Sequence, residues 1–245
     1  MVHPVIDDEN AWRAEAVRGR VLRRLLPAQR HDGLGPLSAI KMLLAVARRR
    51  LTTTAPDGAG LAAMVDDLID QQRAAQKALV AMRLWDEVAA ASSPWPVVVQ
   101  EVCAWVGAAA TMQGHRLLAP ESGSGDSARE VAVPDAHYML AAFLLSAVDT
   151  AACPMRMTLT LDPAEGAAAV VLDLSPRTGE GEADPGLAGP PDGTHGARAL
   201  RRRIGPADVL ALAATMDATV VFEGSQAQDA GAAAAAGAVW RLGLP

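Results

Sequence analysis

The sequence predicts an α+β protein in two parts, a long helical hairpin followed by an α/β sandwich, and three observations carry that expectation. The composition is 51% hydrophobic but only 3% aromatic, so the core is filled by Ala, Leu, Val and Met, which favours close helix packing. Apolar residues recur at steps of three and four from about Asp8 to Leu51, and again from Leu61 to Met82. Beyond the break ASSPWP at 91–96, helical segments alternate with short strand candidates, the pattern of a helical layer on one sheet.

In the first helix the apolar seam reads Leu22, Leu26, Leu37, Ile40, Leu44, Ala47 and Leu51; in the second it reads Leu61, Val65, Leu68, Gln72, Ala75, Leu79 and Met82. The turn formers TTTAPDGAG between them fold the pair into a hairpin. A hairpin with so wide an apolar stripe needs a second pair of helices to cover it, so a homodimer closing a four-helix bundle is expected, with packing on the C-terminal half as the alternative. Residues 1–90 are assigned to this domain and 97–245 to the sandwich. In the latter, helices are predicted over 97–113, 135–151 and 206–216. Strands are predicted over 115–119, 129–133, 155–161, 167–174, 218–223 and 238–242, the third and fourth forming a hairpin around DPAEG. The Gly-, Pro- and Asp-rich stretch 175–205 reads as a long loop.

A net charge of −6 argues against a general nucleic-acid binder. From Arg13 to Arg50, however, basic residues far outnumber acidic ones, which suits an acidic protein partner. The two cysteines, Cys103 and Cys153, provide neither a disulfide framework nor a thiolate cage, and a cytoplasmic location is expected. No apolar run of about 18 residues is present and the first ten residues are polar, so neither a membrane span nor a signal peptide is expected.

His31 is the histidine in an informative setting, RHDGLGPLSAIKMLL. It projects more than a quarter turn away from Leu37, Ile40 and Leu44, toward solvent, with compact neighbours Pro27, Ala28, Gly35 and Ser38. Asp32 beside it is placed to hold one ring nitrogen and leave the other nucleophilic. A surface histidine in an arginine-rich helix is the plain alternative.

His31, Asp32, Leu34, Pro36, Leu37, Ala39 and Ile40 resemble the H-box of sensor histidine kinases, in which a phosphoaccepting His is followed by an acidic residue and, five positions on, by Pro. The resemblance implies that the hairpin is a dimerisation and phosphotransfer domain and that the second half is similar to that family's ATP-binding domain. The nucleotide motifs of that domain are not recognisable. Ser146 stands where a metal-binding Asn is expected, with Asp149 the nearby acid; after the strand AAAVVLDL, neither Asp173 nor Ser175 is followed by the glycines of an adenine-binding turn; RRRIGPAD at 201–208 replaces the phosphate-binding glycines.

The resemblance therefore implies a histidine phosphotransferase whose ATP domain is degenerate. His31 is the expected phosphoacceptor, Asp32 orients and polarises it, and Arg24, Arg30, Gly35 and Ser38 meet the partner. No cofactor of its own is expected, because Mg2+ comes with the receiver domain of a response regulator. The expected partners are a second copy, receiver domains and an upstream, sometimes hybrid, histidine kinase. The competing readings are a divergent ATP-dependent kinase using Arg198–Arg203, and a non-catalytic receiver-binding adaptor.

Overall fold

The computed structural model describes residues 8–53, 58–83, 92–120, 129–151, 153–162, 168–176, 203–223 and 238–245, without the side chains of residues 8, 28, 31, 32, 52, 53 and 81–83. The protein mixes helix and sheet and divides into two compact units: Leu25–Ala89, and a second comprising Met1–Arg24 with Ala90–Pro245. Residues up to Arg24 thus group with the C-terminal part rather than with the hairpin.

Helix α1 (Asp8–Thr53) runs through both units and contains Pro27 and Pro36; helix α2 is Gly58–Arg83. Within the Leu25–Ala89 unit the inner line of α2 is Leu61, Met64, Leu68, Gln71, Ala75 and Ala78, all buried or half-buried. These steps of three and four keep one seam facing a neighbour helix. The matching line on α1 is Leu25, Gln29, Gly33, Pro36, Ile40, Leu43 and Ala47.

The predicted seam is corrected only in part, since its Ile40, Ala47, Leu61, Leu68 and Ala75 lie on these inner lines. Leu37, Leu44 and Leu51 are 48–56% exposed, and so are Val65 and Leu79 on α2, at 52% and 53%. The apolar stripe is wider than one partner helix covers, and the contact with α2 is centred on the bordering line through Gly33, Pro36 and Ile40.

In the other unit, helices α3 (Trp95–Met112), α4 (Val133–Thr150) and α5 (Pro206–Ala214) accompany a five-stranded sheet. The strands are β2 (Arg116–Leu118), β4 (Met155–Asp162), β5 (Ala168–Pro176), β6 (Thr219–Glu223) and β7 (Val239–Leu244). They lie in the order β2-β4-β5-β7-β6. β2 pairs parallel with β4, and the other pairs are antiparallel. The predicted hairpin around DPAEG is present as β4–β5, in register from Met155 opposite Pro176 to Asp162 opposite Ala169. The predicted break at 91–96 instead contains β1 (Ser92–Pro94), which pairs with β3 (Glu130–Ala132) in a sheet of its own. Pro94 then leads straight into α3, which starts two residues earlier than predicted.

Alternation along the strands buries Met155, Met157, Leu159, Val170, Leu172, Leu174, Trp240 and Leu242 on one face. Phe143 of α4 closes this core against Trp240 and Phe222, with ring centroids 5.9 Å and 6.4 Å away. Both phenylalanines of the chain are spent there. Helix α4 is buried almost all round, from Ala136 through Val148, as befits a central helix.

Candidate functional site

Position 31 sits in the middle of α1. Its neighbours on the same side of the helix, Pro27, Leu34, Gly35 and Ser38, are exposed. Gly33, about 200° round the helix, is buried, and a methyl built on it would lie 3.6 Å from Ala78 Cβ. The α1–α2 seam is therefore on the side of α1 opposite position 31. A methyl built on Gly35 would meet nothing within 4 Å, so that stretch of helix is bare. The Ser38 hydroxyl turns back and donates to the Leu34 carbonyl at 2.9 Å. Arg30 is exposed. The same face continues to Met42, eleven residues on and about 20° from position 31, whose side chain is 69% exposed. The side chains of His31 and Asp32, and with them the expected exposure and hydrogen bond, lie outside the described ones.

Arg24 departs from its expected role at the partner surface. Its guanidinium donates to Asp149, with the two side chains only 14% and 4% exposed. Seven residues upstream of His31, Arg24 belongs to the part of α1 that is built into the C-terminal unit.

In that unit the positions matched to a nucleotide site have other partners. Ser146 is fully buried, and its hydroxyl has no hydrogen-bond partner among the described residues. Asp149 accepts the Ile204 N–H at 2.8 Å. Asp208 reaches back from the first turn of α5 to accept the N–H of the N-cap Gly205 at 3.0 Å, and pairs with Arg13 and Arg20 at 3.0 Å each. Burial pushes the Asp208 carboxyl up, but the Gly205 N–H and the two guanidiniums outweigh it and hold the group below the usual carboxylate range. The Ile204 and Gly205 amides just ahead of α5, which in a phosphate-binding loop would be open to an anion, thus face the chain's own carboxylates. On β5, Asp173 and Ser175 are exposed; residues 177–202, including most of the arginine run, lie outside the described residues.

The two described imidazoles of this unit, His115 and His137, have structural partners. His115 Nδ1 accepts the Met155 N–H at 3.1 Å. His137 Nδ1 lies 2.6 Å from the Val133 carbonyl and Nε2 lies 3.0 Å from Glu101, while the ring stacks on Trp105. Burial pushes the Cys103 thiol up to about 12, leaving it protonated and unreactive. Among the described residues no cluster of His, Cys, Asp and Glu could hold a metal ion, and no helix is long and apolar enough to cross a membrane.

Neither a known family nor a curated protein matches this sequence. Among solved structures, the chain is similar to a bacterial phosphotransferase at 13% identity and a TM-score of 0.37, over 91% of this chain and 95% of that one. It is also similar to the histidine kinase AdeS of Acinetobacter baumannii at 12% identity and a TM-score of 0.35, over 85% and 94%. Superpositions this loose carry no weight for fold or function.

Proposed function

We propose that the chain is a histidine phosphotransferase of a two-component phosphorelay, accepting a phosphoryl group on His31 from one receiver domain and passing it to another. The observation that carries this reading is the helix face around position 31: exposed, lined by Pro27, Gly35 and Ser38, and turned away from the α1–α2 seam. A nucleophile on such a face can be reached by a partner's concave site. In the transfer, the phosphorus–oxygen bond of the receiver's aspartyl phosphate breaks as a phosphorus–nitrogen bond forms on the imidazole, and the carboxylate leaves. The receiver brings the Mg2+ that neutralises charge in this step, so the relay protein contributes a positioned ring and a docking surface. Asp32 is assigned to hold the second ring nitrogen and stabilise the positive charge that develops there. Arg30, Gly35 and Ser38 remain the docking residues, joined by Met42 as an apolar anchor; Arg24 is withdrawn from that set.

The reading gives the phosphotransfer role to the hairpin of the expected domain 1–90, whose residues up to Arg24 group with the C-terminal unit, and makes 97–245 a degenerate ATP-domain relative. Two features favour it over a divergent kinase: Asp149 and Asp208 occupy the N–H donors of Ile204 and Gly205, and Ser146 offers a metal only one neutral oxygen. Homodimerisation through the hairpin belongs to the same proposal. Leu34, Leu37, Leu44 and Leu51 line up along α1 at steps of three, seven and seven, interrupted by Lys41 and Arg48, while α2 exposes Val65, Ile69, Leu79 and Val80 beside Asp66 and Asp70. A second copy would bury the apolar positions and set basic residues against acidic ones.

The test is a timed assay with a phosphorylated receiver, run on the wild type and on His31→Ala, with circular dichroism on both. Phosphate should appear on the wild type alone. Equal labelling of a folded His31→Ala protein would remove His31 from the reaction.

A further inference from the structure

The N-terminal part of α1 is tied to the C-terminal unit far more heavily than a helix extension needs. Ala14, Val17 and Val21 are at most 1% exposed, at the spacing of a single buried face. Four arginines flank that face. Arg13 and Arg20 converge on Asp208, Arg20 also donates to the Arg203 carbonyl at 3.2 Å, and Arg24 pairs with Asp149. Arg18 reaches Asp135 at 3.4 Å and lies 6.0 Å from the Tyr138 ring centroid. The two carboxylates at the centre of this network also hold the Ile204 and Gly205 amides. Asp149 and Asp208 therefore join three pieces of chain distant in sequence: the start of α1, the end of α4 and the entry to α5.

Three residues past Arg24 the helix meets Pro27. Proline has no N–H to offer the Arg23 carbonyl, and its ring crowds that carbonyl, so helical cooperativity is interrupted there. The interruption lies within three residues of the division between the compact units, which falls between Arg24 and Leu25.

We propose that Asp8–Arg24 is a releasable strap. It is held on the C-terminal unit by the Asp149 and Asp208 ion pairs and opens as one piece, uncoupled at Pro27 from the rest of α1. Its state is set by the strength of those pairs, and its opening uncovers apolar surface on the C-terminal unit while the hairpin stays folded. The inference stands whether or not His31 carries phosphate.

Hydrogen–deuterium exchange on the full-length chain tests it. Replacing Arg13 and Arg20 together by Ala should speed exchange of amides in 9–23 by about tenfold, with peptides from 58–83 unchanged. Arg24→Asp should do the same. Pro27→Ala should couple the two parts, so that opening of 9–23 in the arginine variants spreads into 28–50. If the double variant loses its near-ultraviolet circular dichroism, Arg13→Gln, which removes one half-exposed pair, is read in its place. Unchanged exchange in 9–23 on loss of the arginines would overturn the ion-pair strap. Equal acceleration of 9–23 and 58–83 in a folded arginine variant would overturn the uncoupling at Pro27.

Discussion

Gly33 offers a substitution pair whose two members should move stability in opposite directions. A glycine inside a helix costs about 1 kcal/mol relative to alanine, and α1 accepts that cost at the point where it meets α2. The Gly33 Cβ of an alanine would lie 3.6 Å from Ala78 Cβ, an ordinary van der Waals contact. Gly33→Ala should therefore stabilise the hairpin by about 1 kcal/mol through helix propensity, with no strain opposing it. Gly33→Leu adds three further carbons to a contact already closed at the first one. The helices must separate or the side chain must leave its preferred rotamer, and the net effect should be a loss of about 1–3 kcal/mol. Urea titrations followed by circular dichroism, with the exposed Gly35→Ala as a propensity-only control, measure both. A stabilising Gly33→Leu, or a Gly33→Ala that destabilises while Gly35→Ala stabilises, would refute the close approach of α1 and α2 at this residue.

Other outcomes follow from the same geometry. Asp32→Asn should slow phosphate acceptance by His31 without abolishing it, since an amide still holds the ring but cannot stabilise its charge; rapid-quench assays read the rate. Replacing Leu37 and Leu44 by Glu should leave helix content intact and shift sedimentation toward a monomer; an unchanged sedimentation coefficient would argue against the outer stripe as the dimer seam. Because Asp208 is held below its unfolded-chain range, near 3.9, its contribution to stability is complete above that value and drains away as pH falls through the lower folded-state value. The destabilisation caused by Asp208→Asn should thus be full at pH 7 and shrink progressively below about pH 4, as followed by denaturant melts across pH. Phe143→Ala, which removes the ring packed against both Trp240 and Phe222, should cost about 3–5 kcal/mol, read in the same melts.

Much of the architecture was legible because periodicity reports it directly. The strands of the C-terminal unit alternate cleanly, so β4 and β5 could be placed within two residues. The two long helices announced themselves by their three- and four-residue steps. Which apolar line faces inward was not legible, because the exposed line of Leu37 and Leu44 borders the inner line of Gly33, Pro36 and Ile40 on a helix that is apolar over more than one stripe, and only the pairing partner decides between them. Short β1 escaped because three residues of Ser-Ser-Pro carry no strand signal until β3 pairs with them. At the candidate site, the bare face around position 31 was readable from Pro27, Gly35 and Ser38, all small or compact. The fate of Arg24 was not, because its partner Asp149 lies 125 residues away and a surface-facing arginine looks the same in sequence as one that is paired.

The discontinuity of the C-terminal unit bears on how the chain is made. Arg24 leaves the ribosome roughly 10–40 s ahead of Asp208 at ordinary rates of synthesis. The hairpin unit, Leu25–Ala89, is complete long before that. For that interval Ala14, Val17 and Val21 form an uncovered apolar strip at the head of an otherwise finished helix. A nascent chain in this condition is a natural client for a holding chaperone, and ribosome-bound chains halted before residue 203 should bind one through 8–24 and release it once Asp208 and the last strand have emerged.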